Sequence, residues 1–568
     1  MAARAELPAV RNAVLTGDGS GTRRLESVVR QARAADSLTH DPVWSIVAAV
    51  PGIGSPIATT QGMTRAVRDL AEQGMPALVV AADTVHPAKL LSGGRLDVAG
   101  LQKAEPSLAD AARTLRTQRD EVAALRPSWF GPVADARAEL STELASLADA
   151  STAAADAARI VPPMLGLNGP RRYFVAFQNP AEARASGGLL DAFAILVADG
   201  GRVRVERVGA NTQLPELTRD ITGVDDGFVE RYAQIGATSA WLEANVSPHF
   251  PDVATAWAQM WNQATGEQID GAVAFTPKAL AAVLAATGPV QAPGIGSVDA
   301  GRIEDLVLHE QYVMPNLGDA RKPLMLGVGK AAIDALLAGR VSTSALLPGL
   351  RSSAEGGYVL VHSRKLDEQA ELVAAGIAGA VDDTARPYAQ AVIVNAAGNK
   401  LDSWLDSSLD YKVMSCTASS RTVRLTVVLR NDAPTTGLPP YVTIRSDLPA
   451  YPVRPSQNRS AVEVLLTRGA TLRQATLDGR PLMTAPPPGE LPAELPSDAS
   501  QTFLNVAETR GRPSYSLDLE LVPGTPRTLV LDVVEPPSND PPLLPRQVMV
   551  RPQVVRSELR TCPAGGRS

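Results

Sequence analysis

At 568 residues the chain has room for three to five domains, and its 45% apolar and 20% charged content supports a buried core while excluding wholesale disorder. Its 54 basic and 60 acidic residues leave a net charge of −6, without the basic excess that nucleic-acid binding needs. Aromatic residues, at 4%, are too few to make a stacking-based sugar or single-strand binder the default reading.

No run of about 18 apolar residues is present, so nothing in the sequence reads as a membrane span. The nearest approach, Val43 to Ala58, is broken by Pro51, Gly52, Gly54, Ser55 and Pro56 and reads as a helix end and turn. Residues 1–30 carry Arg4, Glu6, Arg11, Asp18, Arg23, Arg24, Glu26 and Arg30 with no apolar segment, which is not a signal-peptide pattern. An exported protein would take its export segment from upstream. The histidines His40, His86, His249, His309 and His362 are scattered, and two lone cysteines cannot complete a structural zinc site, so a zinc enzyme is disfavoured. Cys416 and Cys562 would be idle thiols in a cytosolic chain, whereas an exported chain could join them.

Residues 1–160 read as a helical region. Leu25, Val28 and Val29, then Val67, Leu70 and Met75, then Leu108 to Leu125 and Leu140 to Ile160 keep helical spacing. Breaks fall at Gly17–Gly21, Pro51–Pro56, Ser92–Gly94 and Pro127. Residues 161–409 read as a mixed α/β core. Tyr173–Phe177 has the pattern of a buried strand, and Leu189–Val197 and Val203–Val208 flank the hairpin signal Asp199-Gly200-Gly201. Ile269–Phe275 is a further strand, and Thr276-Pro277 opens a helix that ends before Gly288-Pro289. Helices are expected over roughly 303–313, 322–338, 343–353 and 365–380, with strands at Tyr358–His362 and Ala389–Asn395. From Asp410 the period changes to alternation, at Thr422–Leu429, Ala461–Leu466, Tyr515–Leu521 and Thr528–Val534, which predicts a β-sandwich over 410–568. Pro486–Pro496 reads as a loop and Pro536–Pro545 as an extended tail.

Two decoys fall away. Gly327-Val328-Gly329-Lys330-Ala331 resembles the end of a phosphate loop, but Leu324 stands where the first glycine belongs and Ala331 where the hydroxyl belongs. No GxSxG elbow and no GxGxxG after a strand is present. The run that points to a site is Gln178-Asn179-Pro180-Ala181-Glu182-Ala183-Arg184-Ala185-Ser186-Gly187-Gly188, which lies between two strands at the end of the expected sheet. Gln178 and Asn179 offer amides, Arg184 a charged fork, and Gly187-Gly188 a close backbone approach, a set suited to an anionic or sugar-bearing ligand. The structural alternative is a turn with Glu182 and Arg184 in solvent. Ser247-Pro248-His249-Phe250-Pro251 reads as a rigid turn into the helix of Trp257 and Trp261. Arg321-Lys322 places two cations at a helix start, against the dipole, where they either serve an anion or are merely solvated.

The run Arg171 to Gly188 resembles the signature of the domain of unknown function 4012 family, a group of actinobacterial envelope proteins. Asp270–Pro277, Ala286–Val290, the proline turn and Pro439–Val442 are similar to further family segments. The resemblance implies an extracytoplasmic protein anchored to the membrane by an N-terminal helix preceding this chain, and hence a Cys416–Cys562 disulfide. Its α/β region is in turn distantly similar to LytR–CpsA–Psr phosphotransferases, which attach lipid-pyrophosphate-linked glycopolymers to peptidoglycan. That likeness implies phosphate binding by Arg184, Arg207, Arg321 and Lys322 beside Gln178, Asn179, Gly187 and Gly188. Asp191 would be the acidic catalytic residue and the ligand of a divalent cation such as Mg²⁺. The sequence departs from those enzymes at Gly209-Ala210-Asn211, where they carry an Arg-Asp pair, since Asn211 cannot act as a base. Two expectations follow: handling of a polyprenyl-phosphate-linked glycan or cell-wall polymer, or a non-catalytic envelope scaffold that binds glycan or lipid through the same loop.

Overall fold

A computed structural model describes residues 21–48, 50, 54–76, 91–92, 94–314, 321–338, 341–485 and 503–562. The expected Pro486–Pro496 loop, the Gly17–Ser20 part of the first break, residues 51–53 of the second and Gly93 of the third lie outside them. The chain is mixed α/β and divides into two compact units, Met1–Arg171 with Val197–Arg204, and Arg172–Leu196 with Val205–Ser568.

The first unit contains α1 (Gly21–Thr39), α2 (Pro42–Ala48), α3 (Ser55–Asp69), α4 (Val98–Ala124) and α5 (Gly131–Met164). Asp97 starts α4 by accepting the Gly100 amide at 2.9 Å, which satisfies one of the helix's unpaired donors. Leu101, Ala104, Leu108, Ala111, Leu115, Gln118 and Val122 then recur every three or four residues and are buried. Leu115 and Val122 meet Val28, Leu70 and Leu144 in one apolar cluster. A two-stranded ribbon, β1 (Leu91–Ser92) and β2 (Arg95–Leu96), pairs with Arg202 through Arg95.

Most of β3 (Arg171–Asn179), the hairpin of β4 (Leu189–Asp199) and β5 (Arg202–Ala210) apart from its tip, and β6 (Gly271–Phe275) belong to the second unit. The small ribbon of β7 (Val290–Ala292) and β8 (Gly296–Val298) precedes β9 (Val359–Ser363). The sheet runs β5-β4-β3-β6-β9, with β3 parallel to β6 and β9 antiparallel to β6. Its helices are α6 (Asp226–Tyr232), α7 (Phe250–Thr265), α8 (Pro277–Thr287), α9 (Arg321–Leu337), α10 (Thr343–Glu355) and α11 (Leu366–Ala374). Trp257 and Trp261 of α7 are fully buried on Phe174 of β3, at ring separations of 5.6 and 6.1 Å. Trp241 stacks on the same ring at 5.7 Å. The proline turn is structural, as its sequence suggests: His249 precedes α7 and accepts the Val381 amide on Nδ1 at 3.0 Å.

Eleven further strands follow: β10 (Ala389–Asn395), β11 (Leu405–Cys416), β12 (Arg421–Asn431), β13 (Asn458–Leu466), β14 (Thr471–Leu477), β15 (Arg480–Pro481), β16 (Met483–Thr484), β17 (Phe503–Thr509), β18 (Arg512–Leu521), β19 (Arg527–Glu535) and β20 (Val554–Glu558). They form two sheets, β10-β13-β18-β17-β16 and β15-β14-β19-β12-β11-β20. Ile393, Val464 and Leu519 of the first share one apolar cluster with Leu409, Val427 and Leu531 of the second.

Three expectations change. β10 pairs antiparallel with β13 instead of joining the α/β sheet, because a strand apolar on both faces fits either sheet equally well. Helix α11 stops at Ala374, where Gly376 turns left-handed at φ +74°, well short of residue 380. β14, β17 and β20 carry weak alternation and escape the sequence pattern.

The disulfide expected between Cys416 and Cys562 is present, with Cα atoms 5.1 Å apart and a sequence separation of 146. Closing such a loop stabilises the fold by about 5 kcal/mol in the chain-entropy model. Thiol titration of denatured, unreduced protein should therefore find no free thiol, and the Cys416→Ser/Cys562→Ser variant should unfold at markedly lower urea. Two titratable thiols in the oxidised protein would contradict the pairing.

Burial, aided by Arg510 and His362, pushes His249 down to about 3. The unfolded chain protonates this group near 6.5. Its contribution to stability is complete above pH 6.5 and is lost as pH falls toward 3. Asp252 and Asp402, raised by burial to about 6, act in the opposite sense, their contribution fading as pH rises through 6. The histidine is isolated by comparison with His249→Asn, which keeps an acceptor for the Val381 amide. The melting-temperature advantage of wild type over this variant should shrink between pH 7 and pH 5; a constant difference would refute the assignment.

Candidate functional site

The 178–188 loop folds back on the end of its own strand. Asn179 accepts the Ala181 amide at 3.0 Å and donates to the Tyr312 hydroxyl at 2.8 Å, while Gln178 donates to the Ser186 carbonyl. Gly188 has φ +115°, and a Cβ there would lie 2.5 Å from the Asn179 carbonyl carbon. Gly187, at φ +99°, presses in the same way on the Gln178 side chain. The two glycines thus admit the loop's own chain and not a ligand.

Beyond them the loop is tied into the C-terminal sheets. Arg184 is 3% exposed. It donates to Glu182 at 3.2 Å, to Glu243 at 3.3 Å and to the Asn395 carbonyl at 3.2 Å. Lys400 reaches the other oxygen of Glu182 at 2.5 Å. Asp402 accepts the Ala183 amide and the side chains of Asn395 and Asn458 at 2.7–2.8 Å. Gln547 donates to the Arg184 carbonyl at 3.1 Å. Burial works to raise Glu182, but Lys400 and Arg184 outweigh it and hold the carboxyl below its usual range. Burial likewise works to lower Lys400, and Glu182 reverses this. Arg184 is therefore a strut, neither the ligand-facing fork nor the solvated residue that the sequence allowed.

The ends of β3, β5 and β6 and the start of β4 surround an open cleft, roofed by α8, α9 and the helical stretch 303–313. This is where α/β sheets place their sites. Phe177, Val208, Phe275, Leu280 and Met325 make the walls largely apolar. Gln178, Asn179, Asp191 and Lys322 are among its lining residues, so four of the residues singled out in the sequence converge on it. Lys322 donates to the Asn211 side-chain oxygen at 2.5 Å. Its neighbour Arg321 is buried, 3.9 Å from the Tyr441 ring centre and 5.2 Å from that of Tyr312, and donates to Gln311 at 3.3 Å. Among the described residues neither cation has a carboxylate within 4.0 Å. Burial pushes the Lys322 amine down; Asp191 pulls against this, while Arg321 and Lys400 add to it.

Arg207 does not join the cleft. It lies over the Trp261 ring at 5.1 Å and pairs with Glu267 at 3.7 Å. Asp191 is the single carboxylate among the residues that line the cleft, and the described residues contain no group of three or more His, Cys, Asp or Glu able to hold a metal. Sequence reasoning missed Tyr312, Gln311 and Lys400. Only Lys400 left a signal, as one of eight lysines in a chain whose other 46 basic residues are arginine.

Residues 168–312 match the model of a family described as protein of unknown function (DUF4012). The DUF4012 segment supplies the four strand ends, α8 and Tyr312, while Arg321 and Lys322 lie beyond it. No curated protein matches the chain.

Removing Arg184 leaves Glu182 buried with one cation fewer, so Arg184→Ala should cost about 3–5 kcal/mol, the scale for breaking a buried ion pair. Lys322→Ala removes a hydrogen bond to a neutral acceptor and should cost about 1 kcal/mol or less. Urea unfolding of the two variants, side by side, checks the contrast; equal costs would mean that the loop is not held by this network.

Proposed function

We propose that this is an extracytoplasmic cell-envelope protein that binds a polyprenyl-pyrophosphate-linked glycan in the cleft. Arg321 and Lys322 take the phosphates, and the apolar walls take the isoprenoid chain. The observation that carries this is the half-buried Lys322 in the lining of an apolar-walled cleft with the buried Arg321 next to it in the chain, neither having a carboxylate within 4.0 Å among the described residues. Proteins normally pair charges they take out of water, so an unpaired set points to an anion supplied from outside. Under this reading the α/β region is LytR–CpsA–Psr-like, the C-terminal sheets form a β-sandwich, and an N-terminal anchor holds the protein at the membrane.

Attachment of the glycan to the wall is the fuller form of the proposal. Asp191 would take the proton of the attacking sugar hydroxyl. A magnesium ion fits beside it only with phosphate oxygens completing its shell, since magnesium is usually held by one or two carboxylates plus substrate phosphates. A non-catalytic glycan or lipid-binding scaffold is the second reading. It is favoured by the single carboxylate lining the cleft and by Asn211, which cannot act as a base.

Calorimetric titration with farnesyl pyrophosphate tests the binding claim. Lys322→Ala and Arg321→Ala should each lose about 1.5–3 kcal/mol, roughly 10- to 150-fold in affinity, the range for a charge-assisted hydrogen bond. Inorganic pyrophosphate should bind more weakly than the farnesyl compound. Absence of binding by the wild type, or full affinity in both variants, would end the proposal. Transfer of a labelled glycan that is lost in Asp191→Asn, with binding kept, would separate the enzyme from the scaffold.

A further inference from the structure

We propose that Asn211 keeps the cationic end of the cleft receptive to anions, holding Lys322 in position as a neutral acceptor and leaving its charge to the ligand. This rests on the anion-binding reading above.

The geometry that carries it is a contrast among lysines. Lys330, which also lines the cleft, is paired with Asp334 at 2.5 Å, and Lys400 is paired with Glu182 at 2.5 Å. Lys322 makes a contact of the same length, but to an amide oxygen. An ammonium ion needs acceptors to hold it in place, and an amide provides one without cancelling its charge. Asn211 follows β5, and its Nδ2 donates to the Leu190 carbonyl at 3.0 Å, at the residue before Asp191. That bond fixes which way the amide points. The nitrogen is committed to β4, so the oxygen alone can face Lys322. Among the described residues the other charges acting on Lys322 are Asp191, Arg321 and Lys400, and Lys400 is already neutralised by Glu182. A carboxylate at position 211 would put a second anion against Lys322 and occupy it as Asp334 occupies Lys330.

Asn211→Asp, titrated with farnesyl pyrophosphate in magnesium-free buffer, should bind about tenfold more weakly or worse, the loss expected when one charge-assisted contact is taken away. Asn211→Ala leaves the charge uncompensated but unplaced, and should lose less. A second readout needs no ligand: the rate of acylation of Lys322 at pH 8.5, followed by mass spectrometry. It should fall several-fold in Asn211→Asp, because an ion-paired amine surrenders its proton less readily. It should rise in Asn211→Ala. If the wild type binds neither pyrophosphate nor its farnesyl ester, the proposed function fails and acylation alone decides the role of Asn211. If the wild type binds and Asn211→Asp binds equally well, Asn211 is misassigned while the anion reading stands. Should Asn211→Asp fail to fold, unchanged affinity and unchanged acylation in Asn211→Ala overturn the assignment.

Discussion

The site depends on one buried electrostatic knot. Glu182 holds Lys400 on one oxygen and Arg184 on the other, and Asp402 takes the neighbouring Ala183 amide. Four ionised or ionisable groups are thereby removed from water, at a desolvation cost that only close mutual pairing offsets. The knot pins the 178–188 loop to the C-terminal sheets. It thus sets where Gln178 and Asn179 stand, and Asn179 in turn holds Tyr312, the ring beside Arg321. A motif dense in polar residues can therefore be largely structural. From Glu182 onward its polarity reflects the work of joining two sheet systems through a buried loop, and only Gln178 and Asn179 of the motif line the cleft.

Local pattern made most of the fold legible. Strand–hairpin–strand grammar located β3, β4 and β5, and Thr276-Pro277 marked the start of α8, because those signals act over a few residues. β10 was placed in the wrong sheet for the converse reason. Ala389-Gln390-Ala391-Val392-Ile393 reports burial on both faces and carries no address for its partner, and only the pairing with Val464 and its neighbours supplies one. Pairing partners 70 residues apart leave no periodic trace.

The candidate site was legible in halves. Asp191, Gln178, Asn179 and the Arg321-Lys322 pair stand out by residue type and by position at strand or helix ends, and all but Arg321 line the cleft. Arg184 and Arg207 stand out by the same criteria and are consumed by Glu182, Glu243 and Glu267. Nothing in a linear sequence distinguishes an arginine with a carboxylate partner from one without. That difference is the one that makes a site, and it appears only when distant segments are brought together.

The bond between the Gln547 side chain and the Arg184 carbonyl spans 363 residues, and those from Lys400 and Asp402 to the same loop span more than 200. The loop is therefore fully tied only when the chain as far as Gln547 is present. Contacts of such separation form late, since the entropy of closing the intervening chain is lost before they return anything. A polypeptide cut before Asn395 would carry the whole α/β sheet, its strand ends and Lys322, yet lack the clasp that ties the loop. The order of the loop is thus set by residues far from it in sequence, Asn395, Lys400, Asp402 and Gln547.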